Sequence, residues 1–180
     1  GTFTMRSGII SGNTATNNNG GGVQNNGTFS MNGGSISNNT ASGIYGIGNG
    51  GGVLNNGTFT MCDGNISDNT ANTIGGGVYS SNSGTFIMND GAISNNTARD
   101  GYGGGVYSEG AFAMNGGGIS GNTTSNDGGG VYNEGIFTIN GGTISGNNAR
   151  LGGGVLNYNT FTMSGGIINY NLAIYGGGVY

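Results

Sequence analysis

Seven phenylalanines, Phe3, Phe29, Phe59, Phe86, Phe112, Phe137 and Phe161, punctuate the chain, and seven residues after each stands an isoleucine: Ile10, Ile36, Ile66, Ile93, Ile119, Ile144 and Ile168. Three residues further on comes an asparagine (Asn13, Asn39, Asn69, Asn96, Asn122, Asn147 and Asn171), and each copy closes on Gly-Gly-Gly-Val at Val23, Val53, Val78, Val106, Val131, Val155 and Val179. A unit of about 26 residues repeated in this way cannot bury its apolar side alone, and must stack on its neighbours. The Phe-to-Ile spacing never changes, whereas Ile to Val varies between 11 and 17 residues, so length variation is confined to one loop.

Within a copy, Thr-Phe-Thr-Met alternates polar and apolar as a half-buried strand does, which puts Phe and the residue two later (Met5, Met31, Met61, Met88, Met114, Ile139, Met163) on one side. A glycine always lies five after the Phe, where a turn with positive φ selects it. A short strand around Ile-Ser, a corner at Asn-Thr-Ala, the variable loop and a third strand carrying Val complete the unit. Three short strands and three corners make one coil of a parallel β-helix. Coils stack at ~4.8 Å, so seven reach roughly 34 Å. Leucine-rich repeats need a leucine framework that is absent here, propeller blades need longer units, and left-handed β-helices use a hexapeptide rhythm. Parallel crossovers favour the right hand. The expected fold is therefore a right-handed, all-β, single-stranded parallel β-helix over residues 1–180, one domain of about seven coils, read as part of a longer array.

Composition narrows the function. The 180 residues include 46 Gly, no Pro and no Trp; three Arg, no Lys and seven acidic side chains give a net charge of −4. Such a chain has nothing with which to neutralise phosphates, so nucleic acid is not an expected partner. Its apolar runs are too short for a bilayer, and membrane insertion is not expected. The single Cys62 supports neither a disulfide framework nor a cysteine zinc cluster, and no cofactor is expected.

Several features invite a site. The asparagine ladder reads best as structural, each carboxamide meeting the hydrogen-bond demand of a corner and pairing with the next coil. The residue after each inward Val should point outward; in coils 2 to 7 it is Leu54, Tyr79, Tyr107, Tyr132, Leu156 and Tyr180. This predicts an exposed apolar stripe with three stacked tyrosines, a candidate partner-binding surface. The long loop of coil 2 adds Ile44, Tyr45 and Ile47, with Ile74 and Tyr102 on later coils. Asp63 and Asp90 share one turn position on successive coils, a carboxylate pair suited at most to weak calcium binding, since calcium takes six to eight oxygens. Arg99, Asp100, Asp127 and Arg150 share the loop edge and read as surface ion pairs. Gly46, Gly48 and Gly51 satisfy G-x-G-x-x-G without the strand-turn-helix context that a nucleotide site needs.

The pairing of I-S-x-N-T-A with G-G-G-V-Y resembles the F-x-x-N and G-G-A-I motifs of chlamydial polymorphic outer-membrane proteins and related bacterial adhesin-like repeat proteins, with Ile in place of the motif Phe and Gly in place of its Ala. That resemblance implies a right-handed β-helix displayed on a secreted or cell-surface protein, with a structural and adhesive role toward host or matrix protein or glycan. Two other roles stay open. The architecture resembles β-helix pectate lyases, which need clustered carboxylates and a base. The Thr2/Thr4, Thr28/Ser30, Thr58/Thr60 and Thr160/Thr162 pairs resemble the threonine arrays of ice-binding β-helices, although Ile87, Ala111, Ala113 and Ile136 interrupt them. Uncapped coil ends would also favour end-to-end self-association.

Overall fold

The computed structural model describes residues 1–43 and 48–180. Ile44, Tyr45 and Ile47 of the coil 2 loop, with Gly46 of the glycine motif, lie outside the described residues. The rest is a β-solenoid of seven coils whose strands form three parallel sheets, and the pairings join equivalent positions of neighbouring coils except at a bulge where Asn32 meets Asp63. Phe29 faces Phe59, Tyr79 faces Tyr107 and Ile93 faces Ile119. This register follows from the invariant Phe-to-Ile spacing, because a slip of one residue would turn every ladder outward.

One sheet holds both the Thr-Phe-Thr-Met and the Ile-Ser segments. They are continuous strands in coils 2 and 3 (Thr28–Ser37 and Thr58–Ser67) and separate segments elsewhere, such as Thr85–Met88 and Ala92–Ser94. The glycine between them has positive φ in all seven coils, from 78° at Gly117 to 104° at Gly64. Thr-Ala, expected as a corner, instead forms short strands of a second sheet, for instance Thr97–Ala98. The bend itself sits one residue before the ladder asparagine, at Gly12, Asn38, Asp68, Asn95, Gly121, Gly146 and Tyr170, all of positive φ. The third sheet carries Val and its outward neighbour, as in Val106–Ser108.

The tube is filled as the alternation requires. Phe29, Phe59, Phe86, Phe112 and Phe137 are wholly inaccessible, as are the Ile and Val facing them between coils 2 and 6. Adjacent phenylalanine rings stack at centroid separations of 4.6 to 5.2 Å along the full column of seven. At the first coil Phe3 is half-exposed, for want of a ring on its outer side.

The asparagine ladder satisfies the corner as expected. Asn96 donates from its backbone N and from Nδ2 to Asn122 Oδ1, at 2.9 and 3.0 Å. Its Nδ2 also donates to the Ile66 carbonyl at 2.9 Å, while its Oδ1 accepts from Asn69 N and Nδ2. A second polar ladder, two residues after each Val, was not anticipated: Asn25, Asn55, Ser80, Ser108 and Asn133 are all buried. Asn25 Nδ2 donates to Asn55 Oδ1 at 2.8 Å, and Asn55 Nδ2 to Ser80 Oγ at 3.1 Å.

Gly43 and Gly48 flank the undescribed part of the coil 2 loop and lie side by side, a Cβ built on Gly48 falling 2.6 Å from Gly43 N. Joining them directly by deleting residues 44–47 is therefore expected to change stability by less than about 1 kcal/mol, because loop closure depends only weakly on length. Urea denaturation of the deletion variant checks this; a loss as large as that of a core substitution would place those residues in the packing.

Candidate functional site

The outward column after Val is assembled in register, Leu54 beside Tyr79, Tyr79 beside Tyr107, Tyr107 beside Tyr132 and Tyr132 beside Leu156. It is not exposed. Leu54, Tyr107, Tyr132 and Leu156 retain at most 6 % of their surface, and Tyr79 is half-buried. The stripe predicted from strand parity is thus corrected to a second apolar cluster outside the tube, in which Tyr107, Tyr132 and Leu156 pack with Tyr79, Ile74 and Leu151.

The glycine triplet is the physical cause. In coil 4, Gly103 has a φ of 67°, and a Cβ there would stand 2.8 Å from Tyr107 Cβ. A Cβ on Gly104 would stand 2.7 Å from the carbonyl oxygen of Gly129 in the next coil. Without side chains the backbone presses on both the outward residue and the neighbouring coil, so the end of the variable loop folds back over the stripe.

The tyrosine rings form a connected array. Tyr107 and Tyr132 stack at 4.7 Å, Tyr79 meets Tyr107 edge-on at 5.8 Å, and Tyr102 and Tyr158 approach Tyr132 at 5.0 and 5.6 Å. Their hydroxyls point to two carboxylates on successive coils. Tyr79 Oη donates to Glu109 Oε2 at 3.1 Å and Tyr132 Oη to Glu134 Oε1 at 3.5 Å, while Asn82 N also donates to Glu109. Removal from water, reinforced by these carboxylates, pushes the Tyr79, Tyr107 and Tyr132 hydroxyls well above the usual tyrosine range. Glu109 and Glu134 had not been singled out from sequence, although Tyr-Ser-Glu at 107–109 and Tyr-Asn-Glu at 132–134 place each carboxylate on the same side of its strand as the tyrosine.

The outer parts of this cluster remain accessible. Tyr102 is 38 % and Tyr158 63 % exposed, and Glu134 is exposed beside them. Beneath, Asp127 is buried and accepts a 3.0 Å ion pair from Arg150 Nη2. Arg99 and Asp100, expected on the same edge, are exposed with no ion pair among the described residues.

The other sequence candidates separate. Asp63 and Asp90 are exposed, and each carboxylate accepts from the next backbone N, of Gly64 at 2.6 Å and Gly91 at 2.8 Å, which serves the turn. Among the described residues no group of three or more His, Cys, Asp or Glu could hold a metal ion, and no helix is long and apolar enough to cross a membrane. The threonine array lies on the outer face of the first sheet, where Ala111 and the 57 % exposed Ile136 interrupt it. Comparison with protein-family models, curated proteins and solved structures returned no match.

Proposed function

We propose that the chain is a rigid structural segment of a secreted or cell-surface protein with one adhesive face, and that the face binds a glycan. The observation that carries this is the ridge formed by Tyr102, Tyr132 and Tyr158 with Glu134 at its side: the outer two rings are open to solvent and the central one is held between them at 5.0 and 5.6 Å. Exposed aromatic faces pack against the apolar faces of sugar rings, and a neighbouring carboxylate accepts hydrogen bonds from sugar hydroxyls. The ridge runs over coils separated by ~4.8 Å, close to the length of one sugar ring. The fully stacked core and the two asparagine-rich ladders suit a stiff scaffold that holds this ridge in place. In this role the chain binds and does not catalyse.

A glycan array followed by titration of the best ligand tests it. Changing Tyr102 and Tyr158 together to Ser is expected to weaken binding by roughly 100-fold, since exposed aromatic anchors dominate such contacts, while circular dichroism stays unchanged because both rings lie outside the core. Binding that survives the double variant but disappears on deletion of residues 44–47 would move the contact to the coil 2 loop; binding lost in neither variant would refute both.

A further inference from the structure

We propose that the outer side of the last coil is a dimer interface, joining two copies of this chain about a two-fold axis. The proposal comes from comparing columns. At the corner of positive φ, coils 1 to 6 carry only Gly, Asn or Asp, whereas coil 7 carries Tyr170, 88 % exposed at a φ of 53°. In the second sheet the column Thr14, Thr40, Thr70, Thr97, Thr123 and Asn148 ends in Leu172, 66 % exposed. Two residues on, Thr16, Ser42, Asn72, Arg99, Ser125 and Arg150 give way to Ile174, 72 % exposed. Across the corner the column Ser35, Asn65, Ala92, Gly118 and Thr143 ends in Ile167, 54 % exposed, as it begins in Ile9 on the first coil.

These positions face sideways. Thr123, Ser125, Asn148 and Arg150 are exposed even though a coil follows each of them, so another coil stacked on the axis leaves the equivalent positions of coil 7 open. Tyrosine in the left-handed region is also strained, and retention of such strain points to a task for the ring.

The occupant follows from charge and area. All ten charged side chains of the chain lie within residues 1–150, so the last coil meets its partner with an uncharged surface. A charged partner would lose its hydration there with no counter-charge to replace it. A second copy of the same patch is uncharged and apolar by construction, and the net negative charge of the earlier coils disfavours pairing along the whole rod. The four side chains expose on the order of 500 Å² together, so two patches face to face reach on the order of 1,000 Å², the floor for a specific interface. A two-fold arrangement places a surface against itself and stops at two copies.

Sedimentation velocity across a dilution series tests this. The chain is expected to be a dimer, and the variant carrying Tyr170→Asn, Leu172→Thr and Ile174→Ser, which restores the residue types of the earlier coils, is expected to raise the dimer's Kd roughly 100-fold or more. Because Asn suits the left-handed corner, this variant should melt no lower than the parent. In a Cys62→Ser background, Ile174→Cys should be joined copy to copy by a short bismaleimide. The proposal is overturned if the parent chain is monomeric at every concentration, if the triple variant associates equally well, or if the bismaleimide joins no copies. It is also overturned if assembly grows beyond two and is abolished by Ile9→Ser on the first coil, the mark of end-to-end stacking. Monomers that bind phosphatidylcholine vesicles through the patch would assign it to lipid instead.

Discussion

Phe86→Ala is expected to cost about 3–5 kcal/mol. The Phe86 ring is wholly buried in the fourth coil, with Phe59 stacked at 4.8 Å on one side and Phe112 at 4.7 Å on the other. Truncation removes both ring contacts and leaves a void between coils whose spacing is fixed by the hydrogen bonds of three sheets, so collapse into the void is resisted. In a stack, stability is a sum of coil terms and nearest-neighbour interfaces, and a central residue belongs to two interfaces. Phe3→Ala is the internal comparison: Phe3 is 44 % exposed and has one ring neighbour, at 4.9 Å. Its loss should be under half that of Phe86→Ala in urea unfolding followed by circular dichroism. Equal losses would mean that the column does not act as a continuous stack.

The interior was legible because strand parity and a fixed spacing decide the side on which each residue falls. Seven residues from Phe to Ile, with a glycine of positive φ five after each Phe, leave no other register, and the Phe, Met, Ile and Val of coils 2 to 6 turned inward as expected. The outward tyrosines were misjudged for a related reason. Parity tells which side of the wall Tyr107 occupies, but not whether more chain passes over it. The missing signal was the length of the glycine run: a turn alone needs one residue such as Gly103 at positive φ, while Gly104 and Gly105 are required by close approach to the carbonyls of Gly129 and Gly130. The buried Asn25-Asn55 ladder was readable from the Asn or Ser two positions after each Val, but those residue types are also ordinary at strand ends. Glu109 and Glu134 acquire meaning only from hydroxyls on the same or a preceding coil, a relation that appears once the coils are aligned column by column.

The tyrosine cluster predicts a steep alkaline loss of stability. An unfolded tyrosine ionises near pH 10. In the fold, burial first and the neighbouring carboxylates second hold the hydroxyls of Tyr79, Tyr107 and Tyr132 above that value. Above pH 10 the unfolded chain therefore releases protons that the folded chain keeps, and rising pH favours unfolding. The stabilisation is complete below the unfolded value and declines through the range between the unfolded and folded values. A tyrosine held neutral in the fold adds a slope of at most about 1.4 kcal/mol per pH unit above pH 10, so Tyr107 and Tyr132 both drive the loss of stability as pH rises. Tyr79, more open to solvent, adds less. Urea midpoints measured between neutral and alkaline pH should fall accordingly, and Tyr107→Phe should make that fall shallower by the share of one group. Tyrosinate absorbance gives a second reading: Tyr79, Tyr107 and Tyr132 should stay silent while the circular dichroism is native, and appear together with unfolding. If Tyr79, Tyr107 and Tyr132 ionise near pH 10 with the sheet signal intact, the loop does not cover the stripe, and the outward column is open to solvent after all.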